Sequence, residues 1–255
     1  MPPENEVYAK APLVLVTAQL GYAHEPRLNI PEIRDVVAEE LRSSFPVLDV
    51  ESITQENGEV TRQLRATNER RSITVVVNSQ AVTVDATEYE HFWAFSELLK
   101  VCFGAVEKAI GRVYVERAGL RYVDEVRPTD ITSTRDWEAW IAPPLVSAAA
   151  LLPGRSPETL RGVTVYEVAE RTIMTFQWGE VIGHSVVAPS KVRKPPEPGR
   201  FFVLDADAFW VPETPSATAP TEMVWRFKEL HAPVSEVFQA SLTSKARSMF
   251  RGDSK

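Results

Sequence analysis

The middle of the chain carries the sequence VYVERAGLRYVDEV, residues 113–126. It is rich in β-branched and aromatic residues and contains no proline, which is typical of a strand inside a sheet. Because side chains alternate across a strand, two sets of residues face opposite ways. One face carries Arg117, Gly119, Arg121 and Val123, and the other carries Ala118, Leu120, Tyr122 and Asp124. The segment therefore predicts a strand that places charged groups where two halves of the chain meet.

The two halves of the chain have similar short sequence runs and the same predicted order of strands and helices. Residues 10–16 (KAPLVLV) resemble residues 117–123 (RAGLRYV) in kind, and AVTVDA at 81–86 resembles FFVLDA at 201–206. In each half we expect a strand, a helix, three strands and a helix. Chance similarity between two stretches with common cores is the alternative interpretation.

This pattern predicts an α+β fold made of a tandem pseudo-repeat of β-α-β-β-β-α units. Each unit has an antiparallel sheet covered by its own long helix, because a sheet with one apolar face needs a covering layer. The first repeat spans residues 1–112 and the second spans residues 113–255, joined intimately in a single compact unit.

Two helices are expected in the first half. Asn29 is placed to cap a helix whose apolar residues recur at helical spacing through Leu41, with Arg34 on the solvent side. A longer helix is opened by Thr87 and Glu90 at the spacing of a capping box and ended by Gly111. Its predicted buried face consists of Phe92, Phe95, Leu99, Cys102, Phe103, Val106 and Ile110.

Extended segments and later helices complete the prediction. The expected strands lie at residues 48–54, 60–68, 72–87, 162–178, 183–188 and 201–210, with a tight turn at Asn57-Gly58. A helix over residues 136–151 must be kinked or split by Pro143-Pro144. Pro233 should bend a long terminal helix that is lined by Met223, Phe227, Leu230, Val234, Val237, Leu242 and Met249.

Composition excludes several classes of protein. The 255 residues include 28 Lys+Arg and 35 Asp+Glu, a net charge of -7, so no general positive field is available for nucleic acid or an anionic membrane. No run approaches the roughly 20 apolar residues of a membrane-spanning helix. The single Cys102 and the absence of a leader-like N-terminus predict a cytoplasmic location. Residues 189–200 hold four prolines and four basic residues, which predicts an exposed hairpin tip.

Motifs for metals, phosphates or nucleophiles are missing from the sequence. The four histidines lack metal-ligand spacing, and neither a phosphate-binding glycine loop nor Gly-x-Ser-x-Gly occurs. We therefore predict no metal, no cofactor and no catalytic residues, and lean against an enzyme. The candidate ligand- or interface-binding residues are Arg117, Arg121, Tyr122, Asp124 and His231.

Two of these assignments have competing interpretations. Arg117 and Arg121 either pair with carboxylates from the other half and fix its docking, which we favour, or hold an anionic ligand. His231 either bonds the carbonyl groups that Pro233 leaves unpaired or has a functional role.

Three segments carry a family resemblance. YAKAPL at 8–13, RAGLRYV at 117–123, and Leu230-His231 with FQASLT at 238–243 resemble a sporadically distributed bacterial and archaeal family of uncharacterised proteins of about this length. The central run is the most specific of the three. At the position after His231 that family often has an acidic residue, and this chain has Ala232. At the position after Tyr122-Val123 that family often has asparagine, and this chain has Asp124. The first departure weakens a catalytic role for His231, and the resemblance implies no established activity.

Three functions remain open at this point. The first is a non-catalytic binding or interaction protein with a protein partner, and a homodimer is compatible with it. The second is a small-ligand sensor or enzyme with a pocket between a sheet and a long helix. The third is an acidic partner protein of the antitoxin or immunity type.

Overall fold

The computed structural model describes residues 7–54, 60–188 and 196–252. One antiparallel sheet with helices packed on it forms the structure, which confirms the predicted α+β class. The strands are β1 (Leu13–Tyr22), β2 (Val47–Thr54), β3 (Val60–Thr67), β4 (Ile73–Val77), β5 (Ala81–Ala86), β6 (Val113–Val126), β7 (Arg161–Ala169), β8 (Thr172–Gly183), β9 (Gly199–Trp210) and β10 (Ala217–Thr218). The helices are α1 (Pro31–Leu41), α2 (Phe92–Ile110), α3 (Pro143–Val146), α4 (Val224–Ala240) and α5 (Ser244–Arg251).

The two halves of the chain meet in the middle of this sheet. The strand order is β2-β3-β4-β5-β1-β6-β9-β8-β7, with β10 pairing to β6 outside this path. β6 pairs antiparallel with β1 on one side, where Thr17 lies opposite Arg121, and with β9 on the other, where Asp207 lies opposite Arg121. The segment that opened the sequence analysis is therefore a central strand with a partner on each side.

The main hydrophobic core lies between one face of the sheet and the two long helices. Leu120 of β6, Leu99 of α2 and Leu230 of α4 are all fully buried in it. Burying such side chains stabilises the fold by about 1.5 to 3 kcal/mol each. A smaller apolar cluster occupies the opposite face, where Leu15, Val123 and Phe201 are buried. The alternation predicted for β6 is confirmed, because Leu120 points to the helices and Val123 points away from them.

Two segments predicted as single strands are hairpins. Residues 72–87 divide into β4 and β5 because the side-chain oxygen of Asn78 accepts hydrogen bonds from the backbone N–H groups of Gln80 at 2.8 Å and Ala81 at 3.0 Å. Four strands therefore follow α1 rather than three. Residues 162–178 divide into β7 and β8 at Arg171, which has a φ of 58°. The strand predicted at residues 183–188 is wrong, since only its first residue belongs to a strand, at the end of β8.

The start of α1 differs from the prediction. Ile30 precedes the helix, and no side chain caps it. The carbonyl oxygen of Asn29 instead accepts a hydrogen bond from the guanidinium of Arg34 at 2.6 Å. Arg34 is buried, so its predicted position on the solvent side is wrong. Its bond to the backbone in the turn before the helix draws it inward.

The start of α2 also differs. The helix begins at Phe92, and the Nδ1 atom of His91 accepts a hydrogen bond from the Ala94 N–H at 3.1 Å. Thr87, the predicted cap, donates its hydroxyl to the carbonyl of Ser72, the residue before β4. The predicted buried face and the end at Gly111 are confirmed.

The second half contains shorter helices than predicted. Residues 136–151 fall into 3₁₀ turns and the single turn of α3, which begins at Pro143. The long terminal helix is two helices, α4 and α5. Thr243 caps α5 by accepting a hydrogen bond from the Ala246 N–H at 3.3 Å. Pro233 lies inside α4, as expected.

Two predictions lie outside the described residues. These are the turn at Asn57-Gly58 and most of the proline-rich tip at residues 189–200. Within residues 7–54, 60–188 and 196–252, no helix combines the length and apolarity needed to cross a bilayer.

Candidate ligand-binding site

A cavity of about 120 Å³ lies between β6, the segment before α2, and α4. This volume is sufficient for several water molecules or a small organic group. Most of the lining is aromatic or aliphatic, with a few polar groups among these side chains. The lining residues used below are Tyr8, Tyr89, Glu90, Phe92, Tyr122, Asp124, His231, Ser235, Phe238 and Gln239.

Asp124 is the buried acidic group of this cavity. Only 6% of the residue is exposed, and within the described residues its carboxyl group has no hydrogen bond or ion pair. Burial raises the pKa of Asp124 well above its usual value, and the charge of Asp205 on the neighbouring strand adds to this effect. Burial therefore favours the protonated form of this carboxyl group in the empty cavity.

Glu125, the next residue along β6, is a buried carboxylate that has hydrogen-bond partners. Glu125 accepts hydrogen bonds from Arg127 at 2.7 Å, from the Ser185 hydroxyl at 2.7 Å and from the Val186 N–H at 2.8 Å. Its side chain belongs to the opposite face of β6 from Asp124, because side chains alternate along a strand. The lack of partners is thus particular to the carboxyl group in the cavity.

Two tyrosines form a hydrogen-bonded pair beside Asp124. The hydroxyl groups of Tyr89 and Tyr122 lie 2.8 Å apart, and their rings meet edge to face. Burial raises the pKa of both phenols, and the charge of Asp124 acts in the same direction. The pair holds two hydroxyl hydrogens and needs one for its mutual bond. The other remains available to donate to a ligand.

His231 enters the cavity from α4. Its ring stacks on Phe92 with centroids 4.5 Å apart and an angle of 8° between the planes, and it lies 5.6 Å from the Tyr122 ring. The buried Nδ1 atom has no hydrogen-bond partner among the described residues. Burial lowers the pKa of His231 to about 4, so the imidazole is neutral at neutral pH. A neutral imidazole has one nitrogen that accepts a hydrogen bond.

The other end of the cavity is closed by the N-terminal segment. The Tyr8 hydroxyl donates a hydrogen bond to the side-chain oxygen of Gln239 at 2.8 Å, and its ring lies edge-on to Phe238. These contacts join residues 231 positions apart, so they hold α4 against the start of the chain.

The five candidates from the sequence separate into two groups. Tyr122, Asp124 and His231 line the cavity together. Arg117 and Arg121 lie on the opposite face of the sheet. This separation follows from the alternation of side chains along β6.

The two arginines have partners on their own face. Arg121 makes two parallel bonds to Asp205, at 2.8 and 2.6 Å, and Arg117 lies 3.8 Å from Asp207. These carboxylates belong to β9 of the same half, and not to the first half as expected. The first half contributes Gln19, whose side-chain oxygen accepts a bond from Arg117 at 3.2 Å, and the charge of Asp85, which helps to raise the pKa of Arg121.

The sequence analysis did not select several lining residues. Tyr89 and Phe92 were placed in or near a helix start, without reference to β6. Tyr8 and Gln239 lie inside segments that carry the family resemblance, yet no local signal marks them as site residues. Their proximity arises from pairing between distant elements.

Comparisons with known proteins add little. No protein-family model matches the chain, and no curated protein matches it. Among solved structures, the chain is similar to the di-domain ARO/CYC StfQ from the steffimycin biosynthetic pathway, at 12% identity and a TM-score of 0.19. That similarity covers 93% of this chain and 99% of the other. At this TM-score it supports no conclusion about fold or function.

Proposed function

We propose that this protein is a non-catalytic binding protein whose cavity holds a small, largely apolar molecule. One observation carries the proposal: the carboxyl group of Asp124 lines the cavity, is buried and has no partner among the described residues. A polar group that lacks a partner in the folded chain favours a ligand that supplies one. A ligand that bonds to Asp124 would supply the partner that the described residues do not.

The cavity chemistry favours binding over nucleophilic catalysis. A catalytic serine or cysteine is normally activated by a base within hydrogen-bond distance. In the described part of the chain, Nδ1 of His231 contacts no such group. Cys102 is buried on α2 and burial raises its pKa, which keeps the thiol unreactive.

A thermal-shift screen with metabolite and nucleotide libraries tests the proposal. A ligand that binds only the folded protein raises its melting temperature, by an amount that grows with concentration. Ser235→Phe adds a bulky ring to the cavity lining and should abolish the response to any hit. Ala240→Phe places the same ring at an exposed position on the same helix and should preserve it. If no compound stabilises the wild-type protein, or if both variants respond alike, the cavity is not the binding site.

A protein partner is the second candidate function. The edge strand β7 exposes Val163 and Val165 by 60% and 64%, and unpaired edge strands are sites of association. An acidic antitoxin or immunity-type protein is one form of this proposal, consistent with the net charge of -7. Copurification of a stoichiometric partner would favour this function. A dimer detected by light scattering would also favour it, if the substitution Val165→Lys converts the dimer to a monomer.

We also propose that the chain is a tandem pseudo-repeat that acts in a bacterial cytoplasm. The proposed units, residues 1–112 and 113–255, are supported by the order of strands around the central pair. Outward from β1 the strands run β5, β4, β3, β2, and outward from β6 they run β9, β8, β7, so the first half has one strand more. In both directions, strands later in the sequence lie nearer the centre.

A further inference from the structure

We propose that the ligand of this cavity carries an ammonium group on an apolar body, and that Asp124 is its counter-ion. This inference rests on the proposed function and names the chemical class of the ligand.

The charge of the lining selects against anions. No lysine or arginine is found among the described residues that line the cavity, whereas Asp124 and Glu90 are both there. The nearby Arg121 lies on the far face of the sheet and is bonded to Asp205. A carboxylate or phosphate entering the cavity would lose its hydration without gaining a cationic partner, which is strongly unfavourable.

The rings of the lining suit a cation. Tyr89, Phe92, Tyr122 and the more distant Tyr8 and Phe238 surround the same small volume as Asp124. The face of an aromatic ring attracts a positive charge, by about 0.5 to 2 kcal/mol for each favourable contact. Several rings around one carboxyl group therefore favour an alkylated nitrogen over an anionic group.

The hydrogen-bond requirements also match an ammonium group. The cavity offers two groups that lack partners within the described residues, the carboxyl group of Asp124 and Nδ1 of His231. An ammonium group has donors and no acceptor, so it can bond to the carboxylate, and to Nδ1 in the tautomer that leaves this nitrogen unprotonated.

Binding should release a proton. The groups that face Asp124 are Tyr89 and Tyr122, which stay neutral, and His231 on α4; Glu90 lies elsewhere in the lining, and Asp205 acts from the next strand. None of them is cationic at neutral pH, so burial favours the protonated form of the carboxyl group in the empty cavity. A bound cation stabilises the carboxylate, and one proton then leaves to solvent for each ammonium ion bound.

Isothermal titration calorimetry with three probes that share the same aromatic ring tests this inference. Benzylamine, benzyl alcohol and benzoate present a cation, a neutral group and an anion on the same ring. At pH 7 we expect benzylamine to bind about tenfold or more tightly than benzyl alcohol, and benzoate not to bind. Titration in buffers of different ionisation enthalpy should show about one proton released for each benzylamine bound.

The matched variant is Asp124→Asn, which keeps the shape of the side chain and removes its charge. It should lose both the preference for benzylamine and the proton release, while its affinity for benzyl alcohol changes less than about twofold. Circular dichroism and melting temperature establish that the variant is folded.

The outcomes separate this inference from the proposed function. Equal binding of benzyl alcohol and benzylamine, or tighter binding of benzoate, overturns the ammonium assignment and leaves a ligand-binding cavity in place. Unchanged benzylamine binding by Asp124→Asn overturns the role of Asp124. If neither these probes nor any library compound binds the wild-type protein, both proposals are wrong.

Discussion

Asp124 makes the stability of the empty protein depend on pH. The unfolded chain ionises this carboxyl group above about pH 4, whereas burial raises its pKa in the folded state. Between the unfolded and the folded pKa the folded state binds up to one more proton, so the free energy of unfolding falls by up to about 1.4 kcal/mol per pH unit from this group alone.

Asp124→Asn should remove this fall in the free energy of unfolding with rising pH. We expect the variant and the wild-type protein to be similarly stable near pH 4 and the variant to be more stable at pH 7, by about 1 kcal/mol or more. Urea unfolding at a series of pH values measures the difference. Asp35→Asn, at an exposed position on α1, should follow the wild-type curve. A variant less stable than wild type at pH 7 would mean that the carboxylate is ionised and paired.

The helix α2 illustrates how a cap positions a site. His91 ends the segment that carries Tyr89 and accepts the Ala94 N–H, so the cap fixes where Phe92 enters the cavity. A histidine in this position is less usual than serine, threonine, aspartate or asparagine. Its role is evident from the hydrogen bond and not from the residue type.

Replacing this cap should weaken the helix. His91→Ala removes the acceptor and should cost about 1 kcal/mol, a fall in melting temperature of about 2–4 °C for a chain of this size. His91→Asn restores an oxygen acceptor and should recover most of that loss. Glu90→Ala, which removes the carboxylate of the predicted capping box and leaves the His91 cap in place, should change stability by less than about 0.5 kcal/mol. A larger effect at Glu90 than at His91 would contradict this assignment.

The central strand pair joins the two halves into one cooperative structure. β1 and β6 are paired along most of their lengths, and both contribute to the core under α2 and α4. A fragment of residues 1–112 would expose the edge of β1, and a fragment of residues 113–255 would expose the edge of β6.

We therefore expect neither fragment to fold alone. Each should show weak circular dichroism and no cooperative thermal transition, whereas the two expressed together should form a one-to-one complex with the spectrum of the intact chain. For the intact chain, unfolding followed by tryptophan fluorescence and by circular dichroism should coincide. A cooperative transition in either isolated fragment would show that the halves are independent domains.

Local pattern alone predicted much of the architecture. The strand at residues 113–126, the alternation of its faces, the buried stripe of α2 and the α+β class all follow from periodicity, because a side chain's direction is fixed by the repeat of its own element. Tertiary contacts decided the remaining features. The Asn78 turn, the His91 cap and the burial of Arg34 each depend on which backbone group a polar side chain finds, and residue type leaves several options open.

Some features of the candidate site were likewise predicted from the sequence, and others were decided by the tertiary structure. The sequence selected Tyr122, Asp124 and His231 as binding residues, and alternation already placed Arg121 on the other side of the strand. Only the folded chain brings Tyr89 and His231 to Asp124, since they belong to segments separated by dozens of residues and joined through β6 and the packing of α4. Whether a carboxyl group has a partner is likewise a property of that packing, because burial and isolation depend on every element around it.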